Sequence, residues 1–123
     1  MMSRRVAKEY LHLRDWIARA NELVANGEVA YTNSHLLPEA GDSLLMKIGE
    51  AANRLAKLGV IPPLGIDWAS AIDQRNWLIH QYDQIDRDVT WATLTQDIPK
   101  RDAALQPTFR EAEARLAETG DDA

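Results

Sequence analysis

A rhythm in the apolar residues narrows the fold more than any other feature. Val6, Tyr10, Leu13, Ile17, Ala20 and Val24 recur at spacings of 4, 3, 4, 3 and 4, which aligns them on one stripe of an α-helix. The same rhythm returns at Leu44, Ile48, Ala51, Leu55 and Leu58, and again at Trp68, Ile72, Arg75, Ile79 and Tyr82. A looser version runs through Trp91, Leu94, Ile98 and Leu105. No segment alternates with the period of two that a half-buried strand requires. The pattern predicts an all-α protein, an antiparallel bundle of four to five helices.

Punctuation residues divide the helices. Ser3 is a good N-cap for the first and Gly27 a good stop. Residues 28–37 read as a connection, and a second helix enters near Pro38 with Glu39 in its first turn. Gly59 closes it, and Ile61-Pro62-Pro63-Leu64-Gly65 is a loop whose two prolines cannot continue a helix. Asp67 caps a third helix, and Asp88 or Thr90 a fourth. Pro99 and Pro107 should kink or interrupt that last stretch, leaving residues 100–117 as a separate helix that presents Phe109, Ala112 and Leu116. With 123 residues there is room for one core, so residues 1–118 are expected to form a single domain and 119–123 a solvated tail. The near-heptad stripes also suit a bundle that buries surface against a second copy of itself.

Charge and residue usage exclude several classes of function. A formal net charge of −5 denies the chain the broad basic face that coats nucleic acid, so any such contact should be local and built on a few arginines. Zero cysteines rule out disulfides and thiolate metal sites and make the cytoplasm the expected compartment. No apolar run approaches the roughly 20 residues of a membrane helix. The charged residues Lys8, Glu9, Arg14 and Asp15 break up any signal-peptide core. The three histidines form no His-x-x-x-His or His-x-x-Glu pair, so neither a metal nor a cofactor is expected.

Chemistry concentrates in the third helix, at Arg75-Asn76-Trp77-Leu78-Ile79-His80-Gln81-Tyr82. Arg75 interrupts an apolar stripe, where a guanidinium must be paired or face a cleft. Asp73, Asn76 and His80 step by 3 and 4 along the adjoining face. From Arg75 to His80 the ideal helix turns about 140° net, a gap the long arginine stem can narrow. Together these side chains suit cleavage of RNA by its own 2′-hydroxyl. Histidine handles the proton transfers, arginine holds phosphate oxygens in a fixed fork, and asparagine orients either partner. The same residues also fit a buried structural network, with Glu50 or Asp73 as counter-ion to Arg75. Trp77 lies off the main stripe, between Asn76 and His80, where an indole can stack on a base.

Arg75-x4-His80-x-Tyr82, with Asn76 after the arginine, resembles the R-x4-6-H signature of HEPN-domain proteins, and more narrowly the R-N-x-x-x-H-x-Y pattern of the HepT-like toxin family. Ile48-Gly49-Glu50-Ala51-Ala52-Asn53-Arg54-Leu55 resembles that family's second-helix segment, and Asp86 through Pro99 resembles the stretch C-terminal to its motif. The resemblance implies a homodimer in which two motifs share one composite cleft, and a metal-independent ribonuclease toxin with Arg75 and His80 as its catalytic pair. It places Asn76, Glu50, Asn53 and Asp73 around that pair as supporting residues. It also implies a minimal nucleotidyltransferase antitoxin as partner, able to silence the toxin by transferring AMP onto Tyr82. Two alternatives stay open: a non-catalytic HEPN module that binds nucleotide or protein beside a nucleotidyltransferase, and a structural dimer in which Arg75 is a buried ion-pair member.

Overall fold

The computed structural model describes residues 2–81 and 83–118. Within them the chain folds into α1 (Arg4–Val24), α2 (Glu28–Thr32), α3 (Leu36–Lys57), α4 (Trp68–His80), α5 (Arg87–Ala92) and α6 (Ile98–Ala117), with a π-helical turn at Thr93–Asp97 between the last two. The architecture is the expected all-α bundle. Tyr82 and the tail at 119–123 lie outside the described residues.

The caps explain the helix starts. Ser3 accepts from Val6 N at 3.1 Å to open α1, and Asp67 accepts from Ala69 N at 3.0 Å to open α4, each cap worth about 1 kcal/mol. Gly27 and Gly59 take φ of 91° and 76°, left-handed values that end α1 and α3 without the strain a side chain would bring. Pro38 sits in the first turn of α3, where its missing N–H has no intrahelical partner to lose, and Ser34 Oγ accepts from Leu36 N and Leu37 N at 3.1 Å.

Pairwise contacts show how the helices run. Glu9 meets Arg54 and Trp16 meets Lys47, so α1 and α3 run in opposite directions. Arg4 reaches Arg115 and Asn21 reaches Asp102, so α1 and α6 are also antiparallel. Trp68 donates from its indole to Val60 O at 3.0 Å, and Arg75 lies against Gly49, which turns α4 back along α3. The core is the predicted stripes brought together: Tyr10, Leu13, Ile17 and Ala20 of α1, Leu44, Ile48, Ala51 and Leu55 of α3, with Leu94, Ile98, Leu105 and Phe109. Each large side chain so buried contributes about 1.5–3 kcal/mol.

Four expectations change. The connection at 28–37 contains the short helix α2, because Tyr31 is buried and docks it: its hydroxyl shares a 2.9 Å hydrogen bond with Thr90 Oγ1, and its ring lies 4.8 Å from that of Trp91. The cap of α5 is Asp86, whose carboxylate accepts from Asp88 N at 2.9 Å and Val89 N at 3.4 Å, rather than Asp88 or Thr90. Residues 98–117 form the expected last helix, but Pro99 leaves no gap before it: the helical backbone runs on from α5 through the π turn. The π turn just before Pro99 lets Ile98 N reach back to Thr93 O, which widens the helix where the proline ring would meet a carbonyl. The Thr93 and Thr95 hydroxyls cover Val89 O at 3.1 Å and Trp91 O at 2.8 Å. Pro107 then lies inside a continuous α6. Finally, the buried face of α4 is Trp68, Ala71 and Leu78 with Arg75 half-buried, and Ile79 is 48% exposed.

Candidate active site on the fourth helix

α3 and α4 approach closely because Gly49 has no side chain. A Cβ there would lie 2.5 Å from Arg75 Cβ and 2.7 Å from Ala71 O, closer than real Cβ atoms ever pack. The arginine stem therefore lies flat on α3, and its guanidinium emerges beside the next residue of that helix, Glu50. Arg75 Nε is buried and makes no hydrogen bond among the described residues; Glu50 Oε1 stands 3.9 Å away, near enough for charge attraction but too far to accept the proton. An unmet buried donor costs about 1–3 kcal/mol, so one that is retained calls for a reason. Arg75 Nη1 donates to Asn76 Oδ1 at 3.2 Å, so the Asn76 amide holds the outer edge of the fork. Arg75, Asn76 and Glu50 thus form one constellation at the α3–α4 crossing.

The other predicted residues lie around it. His80 is the exposed last residue of α4 and lines a cleft of about 220 Å³ with Gln81, Asp83 and Gln84. No contact joins His80 to Arg75 within the chain. Five helical residues separate them by about 140° and 7.5 Å of rise, and the helix stays regular to its end, where Gln81 N donates to Trp77 O at 2.9 Å. Asn53 is half-buried one turn beyond Glu50 and makes no side-chain hydrogen bond among the described residues. Asp73 is exposed and belongs to a different cleft, with Ser70, Gln74, Trp77, Val89, Asp97 and Arg101. His12 and His35 are both exposed. Tyr82, the expected site of AMP transfer, lies outside the described residues. Among the described residues, no group of three or more His, Cys, Asp or Glu side chains gathers as metal ligands would.

Two features went unread in the sequence. The role of Gly49 had a signal, since a glycine inside a helix costs about 1 kcal/mol against alanine and calls for a packing reason. Arg101 had none. It is half-buried and makes no hydrogen bond or ion pair with a described residue. Burial draws its guanidinium down from the ordinary arginine range, and the Asp97 and Asp67 carboxylates oppose that shift.

An all-helical bundle that carries an arginine, an asparagine and a histidine on one helix has the form of a HEPN-like domain. The chain matches the ribonuclease HepT-like family over residues 13–107 and belongs to it. No curated protein and no solved structure matches the chain. Among the described residues, no helix is long and apolar enough to cross a membrane.

Proposed function

We propose that this chain is a metal-independent endoribonuclease acting as the toxin of a toxin–antitoxin pair, with Arg75 and His80 as its catalytic residues. The observation that carries the reading is Arg75 itself: a guanidinium fixed by a helix crossing, with a buried Nε that no described residue satisfies. Such a group is a preorganised donor for an anion whose charge grows in the transition state. His80 stands exposed one helix end away. Because the two side chains diverge within one helix, the reading requires a homodimer in which two motifs meet across a two-fold axis. There one imidazole takes the proton from the 2′-hydroxyl, whose oxygen attacks phosphorus. The second imidazole gives a proton to the departing 5′-oxygen. The phosphorane charge falls on Arg75, and Asn76 keeps that fork in place. The products are a 2′,3′-cyclic phosphate and a 5′-hydroxyl. Regulation accords with the family resemblance: a minimal nucleotidyltransferase antitoxin transfers AMP to Tyr82, and the added anion occupies the phosphate site. The cytoplasm is the compartment in which both substrate and antitoxin are met.

A non-catalytic binding module is the second reading. It is favoured by the divergence of Arg75 from His80 within one chain and by the net charge of −5.

The test is incubation of wild type, Arg75→Ala and His80→Ala with total RNA and single tRNAs in excess EDTA. Cleavage by wild type alone, with cyclic phosphate ends, is the expected result. Intact RNA with wild-type protein whose Tyr82 is unmodified by mass spectrometry would overturn the ribonuclease reading in favour of the module.

A further inference from the structure

The seam between α4 and α6 holds little direct contact, since α4 packs on α3 and α6 on α1. Its outer part opens as a cleft of about 440 Å³ against the π turn, within the range of small-ligand sites. Trp77 forms one wall, half-buried with its indole packed against the core, and Asp73 is exposed one turn earlier on the same helix. Gln74 spans to Thr93 of the π turn at 3.4 Å and ties α4 to the far side. Arg101 lines the same cleft from α6, half-buried, attracted by the Asp97 and Asp67 carboxylates but without a hydrogen bond to any described residue. The cleft therefore offers a fixed aromatic face, a carboxylate that accepts, and a guanidinium that donates.

The geometry points to a subsite for a guanine base of single-stranded RNA, stacked on Trp77 and read by Asp73 and Arg101. Guanine alone among the four RNA bases sets two N–H donors side by side on its Watson–Crick edge, which one carboxylate accepts together, and carries O6 and N7 as a pair of acceptors that suit an arginine fork. Adenine and cytosine each put a ring-nitrogen lone pair against Asp73, and uracil flanks its single N–H with two carbonyls. The second carboxylate of the cleft, Asp97, lies one turn before Arg101. With two acids against one base, the cleft disfavours phosphate, so it takes the base and leaves the backbone outside. Trp77 precedes His80 by three residues, which puts their Cβ atoms about 5–6 Å apart on one face. A base seated on Trp77 thus belongs to a nucleotide beside the one cleaved. This assignment rests on the ribonuclease reading for its purpose, but the binding chemistry stands independently of it.

Calorimetric titration of the full chain with 5′-GMP, AMP, CMP and UMP tests it. The expected result is affinity for GMP about tenfold above each of the others, the scale of one good bidentate contact. Asp73→Asn, at an exposed position, removes the preference, and Arg101→Gln weakens GMP with the far-UV circular dichroism unchanged. Equal binding of the four nucleotides, no binding, or a preference that survives Asp73→Asn overturns the subsite. Mapping of cleavage ends separates the two ideas. Cuts without guanine at a fixed neighbouring position defeat the subsite and leave the ribonuclease standing. Selective GMP binding with RNA left intact does the reverse.

Discussion

Arg75 owes its position to an atom that is missing from Gly49. Gly49→Ala would force a methyl into the Arg75 stem and the Ala71 carbonyl, so α3 and α4 must separate. The expected cost is about 1–3 kcal/mol, the scale of core overpacking, read by chemical denaturation. RNA cleavage should fall further than stability alone explains, because the guanidinium moves with the helix. A second residue prediction concerns Tyr10, only 2% exposed, whose hydroxyl is pushed up to about 12 first by burial and then by Glu111. The folded state holds that proton more tightly than the unfolded chain, whose tyrosine titrates near its ordinary value of 10.0. Stability is therefore full below pH 10 and lost as pH rises towards 12, by about 2–3 kcal/mol. Tyr10→Phe should flatten that alkaline limb in urea titrations at stepped pH; an unchanged slope would exclude Tyr10 as its source. At this scale Arg75 was legible from the sequence, since a charge on an apolar stripe stands out. Its separation from His80 was visible as an angle. What the sequence hid was Arg101, because its isolation depends on which side chains of α4 and α6 face each other.

Helices were legible wherever one face was apolar for several turns, as in α1 and α3, and where a capping side chain preceded them, as at Ser3 and Asp67. The short α2 escaped because five residues show no period, and it exists through Tyr31 docking on Thr90 and Trp91. Prolines misled for a definite reason. They report a lost N–H, but a π turn, two threonine hydroxyls and packing on α1 can absorb that loss. Pro107 is exposed in mid-helix, so Pro107→Ala should restore a backbone hydrogen bond and relieve the ring. The gain is expected to be about 1–2 kcal/mol after allowing for the freer unfolded chain. A rise of several degrees in melting temperature checks it, and a fall would mean that the bend at residue 107 is needed for packing.

At the scale of the whole molecule, the proposed cleft of two motifs would make assembly and catalysis one property. Ile79 lies on α4 between Arg75 and His80, 48% exposed, and is the apolar residue that such an interface would cover. Ile79→Asp should halve the mass seen by light scattering and abolish RNA cleavage together, with helix content preserved. A monomeric wild type, or a cleaving Ile79→Asp monomer, would remove the composite cleft from the mechanism. The fold class was legible at this scale because helical stripes sum to a bundle. The proposed dimer has no such signature, because a stripe facing a partner and a stripe facing the core obey the same rhythm.

The first and last helices carry a further consequence. Arg4 donates to the carbonyls of Arg115, Leu116 and Glu118, and Arg115 Nε donates to Met2 O at 2.8 Å. The chain is linear, but its fold is nearly a ring clasped at that point. Neither the start of α1 nor the end of α6 can fray alone, since each holds carbonyls of the other.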